Sequence, residues 1–300
     1  MIVVNLQKSK GNLFFLLMVY SAQLFGQDST MLDLLNNGDD KSPLVEATFK
    51  TTRLINGHSV ETTDKGVLDF RISHRFAPVD GGFYNLFGLD QASTRFGFEY
   101  GLLSNLTLGV GRSSYEKSYD GFIKYKFLSQ RIKGFSPITA VWISGMSINT
   151  LRWADPNRKN YFSSRLNYFH QLLIAKKVNE NFSFQFSPTL VHRNLVQTRD
   201  EDNDVLALGI GFRHKLTKRT SINAEYFYAG KESLQPRYKN GLSIGFDIET
   251  GGHVFQLHFT NSQAMIEKGF ITENTQSWSK GGFMFGFNVS RVFNVKKNVK

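Results

Sequence analysis

Cysteine is absent from the 300 residues. That excludes a disulfide framework, a thiolate metal site and a lipid anchor on cysteine. Proline is scarce, with 6 residues. Also lacking is a run long enough to cross a bilayer as a helix. The apolar stretch Leu13–Tyr20 holds eight residues, where a helical span needs about 20. A chain of this kind enters a membrane only as strands. Acidic residues are outnumbered, 25 against 36 Lys and Arg, for a formal charge of +11 and a pI near 9.7. Phe and Gly are abundant instead, at 28 and 26 residues, which suits strands that alternate bulky and small side chains.

Residues 1–26 read as a signal peptide. Lys8 and Lys10 supply the positive start, Leu13–Tyr20 the short apolar core, and Ser21, Ala22 and Gly26 the small residues of a cleavage site. Cleavage is expected after Gly26. Residues 27–65 follow as an N-terminal periplasmic segment or plug. Its first part is polar, with Asn36-Asn37-Gly38-Asp39-Asp40 and Pro43. Its second part, Val45 to Ile55, has strand-forming residues but poor alternation, and ends at the turn pair Asn56-Gly57. It reads equally as a short strand, a lumen plug or a periplasmic contact.

From Gly66 onward a period of two keeps returning. Leu68-Asp69-Phe70-Arg71-Ile72-Ser73-His74-Arg75-Phe76 is one instance; Leu242-Ser243-Ile244-Gly245-Phe246-Asp247-Ile248-Glu249 is another. Successive strand side chains point to opposite faces, so each segment is a two-faced strand. Twelve strands are expected: 67–76, 94–102, 106–113, 119–128, 137–148, 163–175, 182–192, 205–216, 220–229, 240–249, 254–262 and 282–293. Short connectors such as 103–105 and 217–219 alternate with long ones such as 77–93 and 263–281. That rhythm belongs to transmembrane barrels, with short periplasmic turns and longer external loops. The expected fold is an all-β transmembrane antiparallel barrel over 66–293, with a basic periplasmic tail at 294–300. An even strand number returns both ends to the periplasm.

A secreted soluble β protein has the same period, with its apolar faces packed together. Small and polar residues on the second face, such as Thr107, Gly109, Gly111, Ser183, Gln185 and Ser243, favour a polar lumen. Rings toward strand ends, among them Phe127, Tyr168, Phe182 and Tyr226, favour an aromatic girdle.

The stretch Thr52-Arg53-Leu54-Ile55-Asn56-Gly57-His58-Ser59-Val60-Glu61, followed by Asp69 to Phe76, resembles the start of an uncharacterised bacterial outer-membrane β-barrel family, the domain of unknown function 5777 type. Glu249 to Asn261 and Gly286 to Phe293 continue the likeness, which covers roughly 45–293. The resemblance implies a barrel in the outer membrane and brings no activity. The last strand is also similar to the alternating signal read by the outer-membrane assembly machinery, with Phe283, Phe285, Phe287, Val289 and Phe293 in phase.

Candidate lumen-facing polar residues are Asp69, Arg71, Arg75, Arg95, Glu99, Lys124, Lys126, Arg165, Arg213, Glu225, Asp247, Glu249 and His258. Charge there tunes selectivity in an open channel, or forms ion pairs that close a narrow one. The first half of this set leans basic, which favours anions in an open pore. His258 with Asp247 and Glu249 suggests a metal site, but no His-x-His or Glu-x-x-His spacing supports one, and a hydrogen-bond network is the plainer reading. His74, His170 and His214 fall on the apolar face. No G-x-S-x-G or compact triad signature is present, so neither catalytic residues nor a cofactor are expected.

The leading expectation is a non-enzymatic small-solute channel, or a membrane anchor for a periplasmic partner. A barrel enzyme acting on lipid or envelope material is the alternative. Arg131, Lys133, Lys176, Lys177, Lys215, Lys218, Arg219, Lys296, Lys297 and Lys300 gather on the expected periplasmic turns and tail. Such a rim would attract anionic inner-leaflet lipid or an acidic periplasmic protein. Nucleic acid is not an expected partner, since no recognised motif accompanies the charge.

Overall fold

Twelve antiparallel strands close into a single barrel in the computed structural model, which describes residues 42–230 and 235–295. The expected signal peptide, most of the polar lead-in and the basic end of the tail lie outside those residues. The strands are β1 (Val67–Phe76), β2 (Ala92–Leu103), β3 (Leu106–Ser113), β4 (Tyr119–Leu128), β5 (Thr139–Ile148), β6 (Leu166–Lys177), β7 (Phe182–Arg193), β8 (Asp204–Lys215), β9 (Thr220–Ala229), β10 (Gly241–Thr250), β11 (His253–Thr260) and β12 (Met284–Asn294). Each pairs with its neighbours in sequence. The seam closes where β1 meets β12, with Arg71 opposite Ser290 on one side and Gly97 on the other. Closure leaves no unpaired edge.

Alternation sets the faces. Along β3, Thr107, Gly109, Gly111 and Ser113 are buried inward, while Leu108 and Val110 are exposed outward. Outward faces elsewhere carry Phe96, Phe98, Ile123, Phe212, Ile244 and Leu257. A soluble β protein would cover such residues; among the described residues nothing does.

Several strand ends differ from the sequence reading for local reasons. β5 starts two residues late, after Pro137, which cannot donate to a ladder. Phe162–Arg165 form a 3-10 turn, so β6 begins at Leu166. Arg165 is therefore a loop residue, not part of the lumen wall. Its guanidinium lies 3.9 Å from the Trp153 ring centre and donates to the Asn149 carbonyl at 2.7 Å. Pro188 sits within β7 opposite Leu208. The β6–β7 ladder skips from Gln171↔Thr189 to Ile174↔Phe186 around the missing N–H.

One rim carries the connectors 104–105, 129–138, 178–181, 216–219 and 251–252; it is called here the short-turn rim. The opposite rim carries 77–91, 114–118, 149–165, 194–203, 230–240 and 261–283. The rhythm has two exceptions, since 129–138 is longer than 114–118.

Among the described residues the interior is largely filled by side chains. Part of the inner wall on β5 to β8 is apolar, where Val141, Ile143, Leu173, Val191 and Val205 are fully buried, beside buried polar Gln171, Ser183, Gln185, Ser187 and Thr189. The middle of β5 is thus apolar on both faces, with Trp142 outside and Val141 and Ile143 inside. The inward faces of β1 to β3 and β10 to β12 are mainly polar. Two inserts fill the lumen. Residues 48–60 come from the short-turn side, and the 261–283 loop folds down from the other.

Candidate functional site: the plugged lumen

The N-terminal segment enters beside the 129–138 turn, where Leu44 bridges Arg131, and returns to the wall where Lys65 bridges Gly101. Between these points it doubles back. The Leu54 N–H donates to the Gly57 carbonyl at 2.9 Å, and Ser59 N–H to Thr52 carbonyl at 3.0 Å. This is the turn signalled by Asn56-Gly57. Gly57 is required by space: a Cβ there would lie 2.6 Å from the Phe227 ring.

The tip meets Glu225 on β9. The amides of Ile55, Asn56 and Gly57 all donate to that carboxylate, at 3.3, 2.8 and 3.0 Å. Three converging N–H groups are a strong cradle for negative charge. The Asn56 side chain donates to Ser243 Oγ at 2.9 Å and accepts from Arg75 Nη2 at 2.8 Å. Asn288 and Gln256 donate to the Ile55 and Leu54 carbonyls, at 3.0 and 2.7 Å. Lys124 Nζ donates to the Thr52 carbonyl at 3.1 Å, and Arg71 Nη2 to Thr52 Oγ1 at 3.0 Å. Arg213 donates to the Ala47 and Thr48 carbonyls. A strandless segment carries backbone groups that must be paired when buried; here the wall side chains pair them.

The second insert adds Glu267, which faces Arg53 Nη1 at 3.2 Å and His58 Nε2 at 3.4 Å. Burial pushes the Glu267 carboxyl up from its usual range, opposed by Arg53. Burial holds His58 well below its ordinary value, helped by the positive charge of Arg53 and Lys124. His58 is therefore neutral at pH 7. Phe270 of the same loop packs edge-on to Phe227 at 5.0 Å.

Among the proposed lumen residues, Asp69, Arg71, Arg75, Arg95, Glu99, Lys124, Arg213, Glu225, Asp247 and His258 are buried. Arg95 is not bonded to the plug; it grips Asp120 on β4 through two bonds of 2.9 and 2.5 Å. Glu99 lies 3.8 Å from Arg53. Asp247 accepts from Gln256 at 2.9 Å. Lys126 is half-buried beside the β4 bulge. Glu249 pairs with Lys50 near the short-turn rim. His258 lies beside Gly286 with neither ring nitrogen hydrogen-bonded.

The sequence reading missed Glu267, His58 and the inward rings Phe122, Phe169 and Phe227. Each ring lies over an inward glycine, Gly109, Gly145 and Gly209, where a Cβ would be 2.2, 2.3 and 2.6 Å away. Large-over-small pairing across strands was the available signal. In the acidic run Asp200-Glu201-Asp202 of the 194–203 loop, Glu201 pairs with Arg193 at 3.4 Å and with Arg237.

Residues 49–293 match a family model described as "Membrane bound beta barrel domain (DUF5777)". The chain belongs to this family. Its apolar outer face is accordingly the face of a membrane barrel. No curated protein matches it significantly. Among solved structures it is similar to the NanC porin, at 8% identity and a TM-score of 0.47, over 75% of this chain and 98% of that one. The KdgM porin is similar at 10% identity and 0.46, over 76% and 99%. An active-site mutant of outer membrane phospholipase A from Escherichia coli is similar at 12% identity and 0.43, over 77% and 90%. Likeness at this level speaks neither to solute nor to chemistry.

Proposed function

We propose that this family member is a non-enzymatic small-solute channel of the bacterial outer membrane, exported behind a cleaved signal peptide and held shut by its N-terminal segment. The observation that carries the reading is the cradle of three amides on Glu225. The segment is bound to the wall mainly by side chains, with single bridges at Leu44 and Lys65. The barrel closes through β1 and β12 without it. It can therefore leave the lumen without opening the wall, which is what a gate needs.

The enzyme alternative has less support. Ser144 Oγ and His170 Nδ1 lie 2.8 Å apart on the outer face. Among the described residues no carboxylate bonds His170 to orient it, as a triad requires. A second reading, a membrane anchor for an acidic periplasmic protein or for anionic inner-leaflet lipid, draws support from Lys176, Lys177, Lys215, Lys218 and Arg219 clustered at the short-turn rim.

Planar-bilayer recording tests the channel. Native protein is expected to conduct little, and a variant lacking residues 27–64 to conduct strongly while keeping the heat-dependent gel shift of a folded barrel. A folded variant that stays silent would remove the channel reading.

A further inference from the structure

The outward face of β5 to β9 is not smooth. An open groove of about 740 Å³ crosses it, with Trp142, His170, Leu172, Pro188, Leu206 and Tyr228 in its lining. Pro188 stands on β7 opposite Leu208 of β8. Its short ring makes a low floor between longer side chains. Tyr228 and Leu206 lie near the long-loop rim, and Trp142 lies toward mid-wall. The groove is part of the apolar outer face, which is the membrane face of this family's barrel.

One polar group interrupts the apolar lining. Trp142 Nε1 donates to Ser144 Oγ at 2.8 Å, and Ser144 Oγ lies 2.8 Å from His170 Nδ1. The direction that leaves the fewest groups unpaired has the Ser144 hydroxyl donating to Nδ1. The imidazole proton then sits on Nε2. His170 is exposed, and its Nε2 has no hydrogen-bond partner among the described residues. A donor turned toward hydrocarbon without an acceptor is costly, and an ionisable side chain on a membrane face marks a site by default. His170 is four residues along β6 from its long-loop end at Leu166, about 13 Å of strand at roughly 3.3 Å per residue. That places it toward one leaflet's polar boundary rather than at the midplane, the level at which lipid esters lie.

We propose that this groove binds one acyl chain of a membrane lipid, with an ester carbonyl of that lipid accepting from His170 Nε2. The hydrocarbon chain lies on the floor made by Leu172, Pro188 and Leu208. A narrow concave groove admits a chain of this kind, whereas the convex wall of a second barrel would bridge it without entering. The inference rests on the membrane face and is independent of whether the lumen conducts.

The test is native mass spectrometry of the full chain in mild detergent. It is titrated with a diacyl phosphatidylethanolamine and with the dialkyl ether analogue, which keeps the headgroup and chains but has no ester carbonyl. One ester lipid is expected to bind saturably, about fivefold more tightly than the ether lipid, the size of one hydrogen bond. His170→Leu should bind the two lipids alike, and Leu172→Trp, which fills the floor, should lose both. Folding of each variant is read from the heat-dependent gel shift, and the ester–ether comparison on native protein decides the matter if either does not fold. Equal native affinity for the two lipids would overturn the proposal, as would native lipid retention in folded Leu172→Trp. A native dimer that Leu172→Trp disperses would overturn it too, by giving the groove to a second copy of the chain.

Discussion

Glu225 on the wall receives the Asn56 amide at 2.8 Å, at the centre of three consecutive amides turned toward one carboxylate. This contact joins β9 to a segment that shares no ladder with it. Glu225→Gln keeps the shape and removes the charge. Hydrogen bonds to charged groups are worth roughly 1.5–3 kcal/mol each, so the variant should loosen the tip and raise bilayer conductance with the barrel intact. Conductance equal to native would show that Glu225 does not hold the gate.

Lipid-facing and inward positions should differ sharply. Ile244 is outward on β10 and 44% exposed. Val254 is inward on β11, half-buried, and lines a cavity near the short-turn rim. Ile244→Arg near mid-depth should destabilise by about 2–4 kcal/mol in lipid refolding, and Val254→Arg by much less. Equal effects would contradict the face assignment. Ser243 is a poor inward probe, because its hydroxyl is bonded to Asn56 and Thr260.

Acid should loosen the plug through His58. Its folded value lies well below 6.5, so the displaced segment binds the proton more readily than the seated one. Stability from this group is complete above the ordinary histidine value and is lost as pH falls below it, at about 1.4 kcal/mol per unit. Arg53, Lys124, Arg95 and Arg71 oppose protonation in place, and Glu267 favours it. Glu267, raised by burial, takes up its proton more readily seated, and so acts in the opposite direction. The His58 contribution should raise conductance as pH falls from 7 to 5, and His58→Gln should remove that contribution. A profile unchanged by His58→Gln would assign the effect elsewhere.

The strands were legible in sequence because one residue of slip would turn each apolar face inward. Leu68 to Phe76 needs no other information to be a two-faced strand. The plug was half-legible. Val45 to Ile55 lacks alternation because its partners are wall side chains, not a ladder, and Asn56-Gly57 marked only its turn. The second insert was missed. Ala264-Met265-Ile266 and Phe270-Ile271 are apolar runs between strands and are fully packed, yet the one helical turn there, Lys268–Thr272, is too short to show a period. The apolar inner wall was hidden for a related reason: Val141-Trp142-Ile143 is apolar on both sides, and a period cannot choose between them. Arg165 was misplaced because Ser163 to Arg165 read as the start of the 163–175 strand, where the chain makes a 3-10 turn.

The central claim is that the lumen is occupied by the chain's own N-terminal segment, and the absence of native cysteine makes it directly measurable. Single thiols introduced as Leu54→Cys, at the buried tip, and Leu44→Cys, at the short-turn rim, are exposed to a small water-soluble maleimide in the folded barrel. Leu54 is 3% exposed and Leu44 49%. The account predicts rapid labelling at position 44 and protection at position 54 until the barrel is unfolded. Equal labelling of both thiols in the folded barrel would contradict it.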